Sequence, residues 1–195
     1  MLKTVFLRAT VAVLALHTCW ALADTSPVSP ACQLLDAKDL AEVGFTLTGK
    51  PRGNSFHVKT EQSGAPSEIQ ADICFFYEAI EGGRISANVT VERFADMKGV
   101  PEWLDTKNGK ASPGATLSRI DSAVCEQGSY EFANPSKDDQ GQQREQRYVA
   151  CDALAPVGHV IVQFELPADG REPPEPKVVK ATLDKVISRL PAPAR

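Results

Sequence analysis

The sequence predicts an α+β fold: an antiparallel sheet with a short N-terminal helix, a packed C-terminal amphipathic helix and two disulfides. Three observations carry this. Strand-like runs follow one another across tight turns, as in Arg84–Phe94, where Ile85, Ala87, Val89 and Val91 share one face and Ser86, Asn88, Thr90 and Glu92 the other. Lys177–Leu190 repeats at the helical period instead, with Val179, Leu183, Val186, Ile187 and Leu190 in one stripe and Pro191 as its stop. Beyond the N-terminal segment the chain holds an even set of cysteines, Cys32, Cys74, Cys125 and Cys151.

The elements follow in order. Residues 1–23 read as a secretory signal: Lys3 and Arg8 form a basic start, Ala9–Leu16 a short apolar run, and Ala21-Leu22-Ala23 a small-residue cleavage site before Asp24. A lipidated Cys19 is the rival reading, but His17 and Thr18 fit poorly where such sites prefer small residues. Residues 24–30 form a flexible lead-in rich in Ser and Pro. The short helix that follows has Asp36 as N-cap, Asp39 near its positive end, Leu35 and Leu40 spaced as a hydrophobic staple, and Gly44 as terminator. A weaker strand is expected around Phe56–Lys59, then strong strands at Ile73–Ala79 and Arg84–Phe94, joined through Glu81-Gly82-Gly83. Pro101 opens a brief helix carrying Trp103 and Leu104, which ends near Asn108-Gly109. Strands at Ala115–Asp121, Gly128–Ala133, Tyr148–Ala153 and His159–Leu166 complete the set, the last two as a hairpin around Ala155-Pro156.

Adjacent strands with tight turns imply an antiparallel sheet with the helices on one side. Residues 31–190 are expected to form a single α+β domain, with two pseudo-repeated halves meeting near 109–115 as the alternative description, and residues 191–195 a tail.

The 195 residues are 43% hydrophobic and 24% charged, with a net charge of −4, which excludes wholesale disorder and a multi-span membrane protein. The acidic balance argues against nucleic acid as a partner, because phosphate recognition needs a basic footprint. Cleavage after Ala23 removes two of the 21 basic residues and none of the 25 acidic ones, so the charge becomes −6. No stretch after the signal is long and apolar enough to anchor the chain in a bilayer.

In an exported chain the four remaining cysteines read as two disulfides, for which three connectivities exist. The sequential pairing, Cys32–Cys74 and Cys125–Cys151, is preferred because it places one staple in each half. A metal site is disfavoured: there is no C-x-x-C, and only His57 and His159 could supplement the thiols. No cofactor is expected.

Catalytic signals are sparse. There is no G-x-S-x-G elbow, and neither Gly49-Lys50 nor Gly109-Lys110 continues as a phosphate loop. His159 shares a strand face with Gln163 and Glu165, and a hydrolase would use it with Glu165 or Asp152, although an exposed histidine on a polar face is the plainer reading. His57 reads as a half-buried strand residue and Trp103 as a core residue. The acidic tip at Asp138, Asp139 and Gly141 lacks the terminal Glu of a calcium loop, and the sequon Asn88-Val89-Thr90 falls in mid-strand.

Cys32-Gln33-Leu34-Leu35, then Asp39-Leu40, Gly44 and a strand in which Cys74 is followed by aromatics, resembles the opening of a family of bacterial exported domains of unknown function, many of them actinobacterial lipoproteins. The resemblance implies an exported α+β domain stapled by Cys32–Cys74 and brings no catalytic residue with it. It extends over most of the chain in layout, but this sequence lacks a convincing lipidation site.

The function expected from these features is an exported, non-enzymatic binding module, secreted or periplasmic, whose ligand, a protein or a small molecule, the sequence does not identify. An inhibitor or immunity protein acting on a protein partner is its specific version. The polar segments 49–70 and 135–147 are its candidate contact regions. The alternatives are a carrier of a small ligand or lipid, and a hydrolase built on His159.

Overall fold

In a computed structural model the described residues are 29–59, 66–81, 83–133, 143–168 and 170–192. The signal with Cys19, most of the lead-in, the acidic tip at 138–141 and the last three residues of the tail lie outside them.

The chain begins with a 3-10 turn, Pro30–Gln33, and a short helix α1, Ala37–Glu42. The Asp36 side chain accepts from the backbone N–H groups of Lys38 and Asp39, at 2.8 and 2.9 Å, and Asp39 reaches back to the N–H of Asp36 at 3.1 Å. This reciprocal box starts a helix too short to persist on propensity alone. Seven strands follow: β1 Arg52–Lys59, β2 Glu68–Ile80, β3 Gly83–Phe94, β4 Thr116–Ile120, β5 Ala123–Ala133, β6 Gln143–Ala155 and β7 Gly158–Pro167. Helix α2, Val100–Asn108, separates β3 from β4, and α3, Pro176–Ser188, follows β7. All seven strands form one antiparallel sheet in the order β1-β2-β3-β7-β6-β5-β4.

The register explains the cysteines. One row of cross-strand partners runs Gly53, Cys74, Val89, Val162, Cys151, Cys125 and Ser118. Cys125 and Cys151 are direct neighbours and are bonded to each other, while Cys74 is bonded to Cys32 of the 3-10 turn above it. Gly53 makes that second bridge possible: a Cβ there would stand 2.4 Å from the Ser29 Cβ and 3.0 Å from the Cys32 Sγ. On this disulfide face, Phe76, Ala87, Val89, Val149, Val160, Val162 and Phe164 form one buried cluster with Leu40, Phe45, Val179, Leu183 and Val186. The carbonyl of Pro176, at the start of α3, lies 3.4 Å from the Cys151 Sγ.

Several expectations need correction. Helices do not share one side of the sheet. Asn108 at the end of α2 bonds Asp152, and Trp103 meets Phe94 edge to face, and both strand residues point away from the disulfide face. Near α2 the central strands are buried on both faces, with Ala71, Thr90 and His159 covered on the second one, and a doubly covered strand is not distinguishable by alternation alone. The segment 49–70 is not wholly a loop, since Arg52–Lys59 is an edge strand whose residues are all exposed. His57 within it is therefore exposed, not half-buried, and Trp103 is half-buried instead of part of the core. Residues 143–147 of the second polar segment belong to β6. Among the described residues no helix is long and apolar enough to cross a membrane.

Candidate functional site

The face of the sheet opposite the disulfides is where chemistry-bearing side chains collect. Strand alternation places Phe75 and Tyr77 of β2, Ser86, Asn88 and Glu92 of β3, His159, Gln163 and Glu165 of β7, Tyr148 and Asp152 of β6, and Glu126 and Tyr130 of β5 on it together. These strands are distant in sequence; the pairing of β3 with β7 brings Glu92 opposite His159 and Ser86 opposite Glu165.

His159 is a buried residue, not the exposed polar-face histidine of the sequence reading: it is only 1% exposed. Its Nδ1 stands 2.9 Å from Glu92 Oε2, and its Nε2 stands 3.6 Å from Asp152 Oδ2, which is ion-pair distance but beyond a hydrogen bond. Burial opposes the charged ring, but the carboxylates of Asp152 and Glu92 outweigh it, and His159 titrates above its ordinary value. Close approach of β7 to β3 is made possible by Gly158, whose φ is +143° and whose Cβ would fall 2.0 Å from the carbonyl oxygen of Glu92. Asp152 is held in turn by Asn108, whose Nδ2 donates to both of its oxygens at 2.9 and 3.0 Å. A chain of polar groups thus ties β3, β7, β6 and the end of α2.

Glu165 does not join His159, contrary to one of the two pairings considered for a hydrolase. It accepts from Ser86 Oγ at 3.0 Å and from Gln163 Nε2 at 2.6 Å. Burial, with the charge of Glu165 and the hydrogen bond to it, pushes the Tyr130 hydroxyl up to about 12. Tyr130 and Tyr148 lie with ring centres 6.0 Å apart, and Phe75 and Tyr77 stack within 7° of parallel.

Beside this cluster a cleft of about 160 Å³ opens between β4, β5, β6 and the end of α2, lined by Asn108, Leu117, Val124, Glu126, Tyr148, Ala150 and Asp152. Tyr148 donates to Glu126 Oε1. Burial raises the pKa of the Tyr148 hydroxyl, with the Glu126 carboxylate adding to the effect. No group of three or more acidic, His or Cys side chains suited to a metal ion occurs among the described residues.

The four cysteines named from sequence sit in the two bridges described, away from this face. Sequence reasoning missed Glu92, Asn108, Glu126, Tyr148 and Tyr130 as members of one surface. Alternation put Glu92 on the right face, but only the strand order brings it to His159. Set against protein-family profiles, curated proteins and solved structures, the chain matches none of them.

Proposed function

We propose that the protein is an exported, non-enzymatic binding module of the inhibitor or immunity type, and that it receives a protein partner on the sheet face opposite the disulfides. One observation carries the reading. Of the five large hydrophobic residues exposed among those described, Phe56, Val58, Tyr130 and Leu154 all belong to that face by register, and the fifth, Met97, lies between β3 and α2. Exposed apolar groups gathered on one face and interspersed with polar ones are what interaction surfaces display. Export rests on the signal-like N-terminus and the two bridges, which suit an oxidising compartment. The packed C-terminal helix belongs to this reading as the cover of the disulfide face, supported by the burial of Val179, Leu183 and Val186. That leaves for the partner the part of the opposite face that α2 does not cover, where Phe56, Val58, Tyr130 and Leu154 are exposed. The resemblance to bacterial exported domains of unknown function bears on export alone.

Two rival readings have less support. A hydrolase using His159 would need substrate access to a ring that is 1% exposed and set between two carboxylates. A lipid carrier would need more room than the cleft described here offers, at about 160 Å³.

The test is capture from the exported fraction of the producing cells, followed by co-elution on a sizing column. The wild type should hold one stoichiometric protein that the double variant Phe56→Glu/Tyr130→Glu loses and the control Lys177→Glu, on α3, retains. A chain that stays alone, or a partner held equally by all three proteins, overturns the proposal.

A further inference from the structure

The cleft at the end of α2 has a composition that selects its occupant. Its floor is apolar, made by Leu117, Val124 and Ala150, and two carboxylates, Glu126 and Asp152, stand at its wall. Their hydrogen bonding is unequal. Asp152 takes both of its bonds from the Asn108 amide, and Glu126 is bonded on Oε1 by the Tyr148 hydroxyl, while Glu126 Oε2 has no partner among the described residues. Behind the cleft the buried His159 makes no hydrogen bond through Nε2, which faces the Asp152 carboxylate at ion-pair distance, 3.6 Å. Asp152 therefore stands between that nitrogen and the open cleft.

An anion is repelled by this wall, and a purely apolar group would leave two carboxylates desolvated. A divalent cation would require more oxygen ligands than two carboxylates supply. The volume, 160 Å³, matches the size of cavity that accepts a single benzene, about 150 Å³. What satisfies the apolar floor, the charged wall and the volume together is a cation on a short aliphatic stem, the form in which lysine buries its methylenes and keeps its ammonium beside acceptors.

We infer that this cleft is the receptor for a lysine side chain presented by the protein partner, with Glu126 and Asp152 receiving the ammonium and Leu117, Val124 and Ala150 the methylenes. The inference rests on the docking face proposed above and specifies what the partner must carry. It fits the acidic balance of the chain, which favours encounter with a basic partner. A second cation at Asp152 competes electrostatically with the imidazolium of His159, so occupancy of the cleft and protonation of His159 oppose each other.

The experiment uses the whole protein and two probes, α-N-acetyl-lysine methylamide and the same compound with its side-chain nitrogen acetylated. The charged probe should give saturable amide shifts at Val124, Ala150 and Asp152 in NMR, and should lower the titration midpoint of the His159 ring. The acetylated probe should bind at least about tenfold more weakly. Glu126→Gln should weaken the charged probe by about fivefold or more with an unchanged melting temperature. Shifts no stronger for the charged probe than for the acetylated one, shifts scattered away from the cleft, or an unaffected Glu126→Gln variant overturn the inference. If the partner is captured and lost with Phe56→Glu/Tyr130→Glu while the lysine probe leaves the cleft silent, the inference alone falls. If the probe binds and no partner is ever captured, the docking reading falls instead.

Discussion

His159 and Asp39 each couple folding to pH, with opposite signs. His159 titrates above its ordinary value because Glu92 and Asp152 flank it despite its burial. Folding then favours the protonated ring. Its contribution is complete below the unfolded value of about 6.5 and disappears as pH rises through the raised folded value. Urea unfolding across neutral pH should show stability falling as pH rises above about 6.5. His159→Gln should be less stable at the acid end and should lose that decline; a decline that persists in the variant would contradict the assignment. Asp39 behaves in reverse. The Arg189 guanidinium, against the opposing effect of burial and with help from the Asp36 N–H and the Lys185 charge, holds its carboxyl near 2, below the ordinary 3.8. Its contribution is present above pH 3.8 and fades as pH falls towards 2. With Arg189 partly exposed at 38%, Asp39→Asn should cost about 1–2 kcal/mol at neutral pH, read from chemical denaturation, and flatten the acid limb of the stability profile. Little of this was legible in the sequence. The capping role of Asp36 and the position of Asp39 were written in local spacing, but the Arg189 partner lies 150 residues away, and no local pattern predicts such a pair.

At the scale of elements, legibility followed burial. The central strands β3 and β7 alternate because one face meets the core throughout, and their boundaries were read within a residue or two. β1 could not be read in full, because all eight of its residues are exposed and nothing enforces a period. The start of β6, Gln143–Arg147, carries no apolar residue from which a period could be read. Helix α2 was visible from Pro101 and its boundaries, yet its side of the sheet was not. It has only nine residues and a glycine N-cap without a side-chain bond, so it depends on Val100, Leu104, the Trp103–Phe94 contact and the Asn108–Asp152 bond to stay in place. Asn108→Ala should cost about 1–2 kcal/mol, since it removes bonds to a charged acceptor. Amide exchange should quicken in α2 and at the β6 end near Asp152 while β2 and β3 remain protected. Uniform loss of protection across the sheet would show that α2 is not a separable element.

For the whole molecule, the sequence disclosed the even cysteine count and favoured sequential pairing, and the pairs are indeed Cys32–Cys74 and Cys125–Cys151. Strand order was beyond reach, because joining β3 to β7 is a long-range choice that both strands' similar apolar faces permit with any neighbour. The bridges close segments with sequence separations of 42 and 26 residues, for which the loop-entropy account gives about 4 and 3.5 kcal/mol. Replacing Cys32 and Cys74 by Ser should therefore lower unfolding free energy by about 4 kcal/mol, slightly more than Cys125→Ser with Cys151→Ser. Guanidinium titrations of the two double variants check both the size and the order.

The contact between Arg189 and the carbonyl of Leu34, at 2.9 Å, has a practical corollary. It draws the two ends of the described chain to the same side of the sheet, over the bridges and away from the cleft. A biotin or affinity handle fused beyond either end would lay the domain on a sensor chip with Phe56, Tyr130 and the cleft turned towards the flowing solution, so immobilisation at the two ends should report the same binding response.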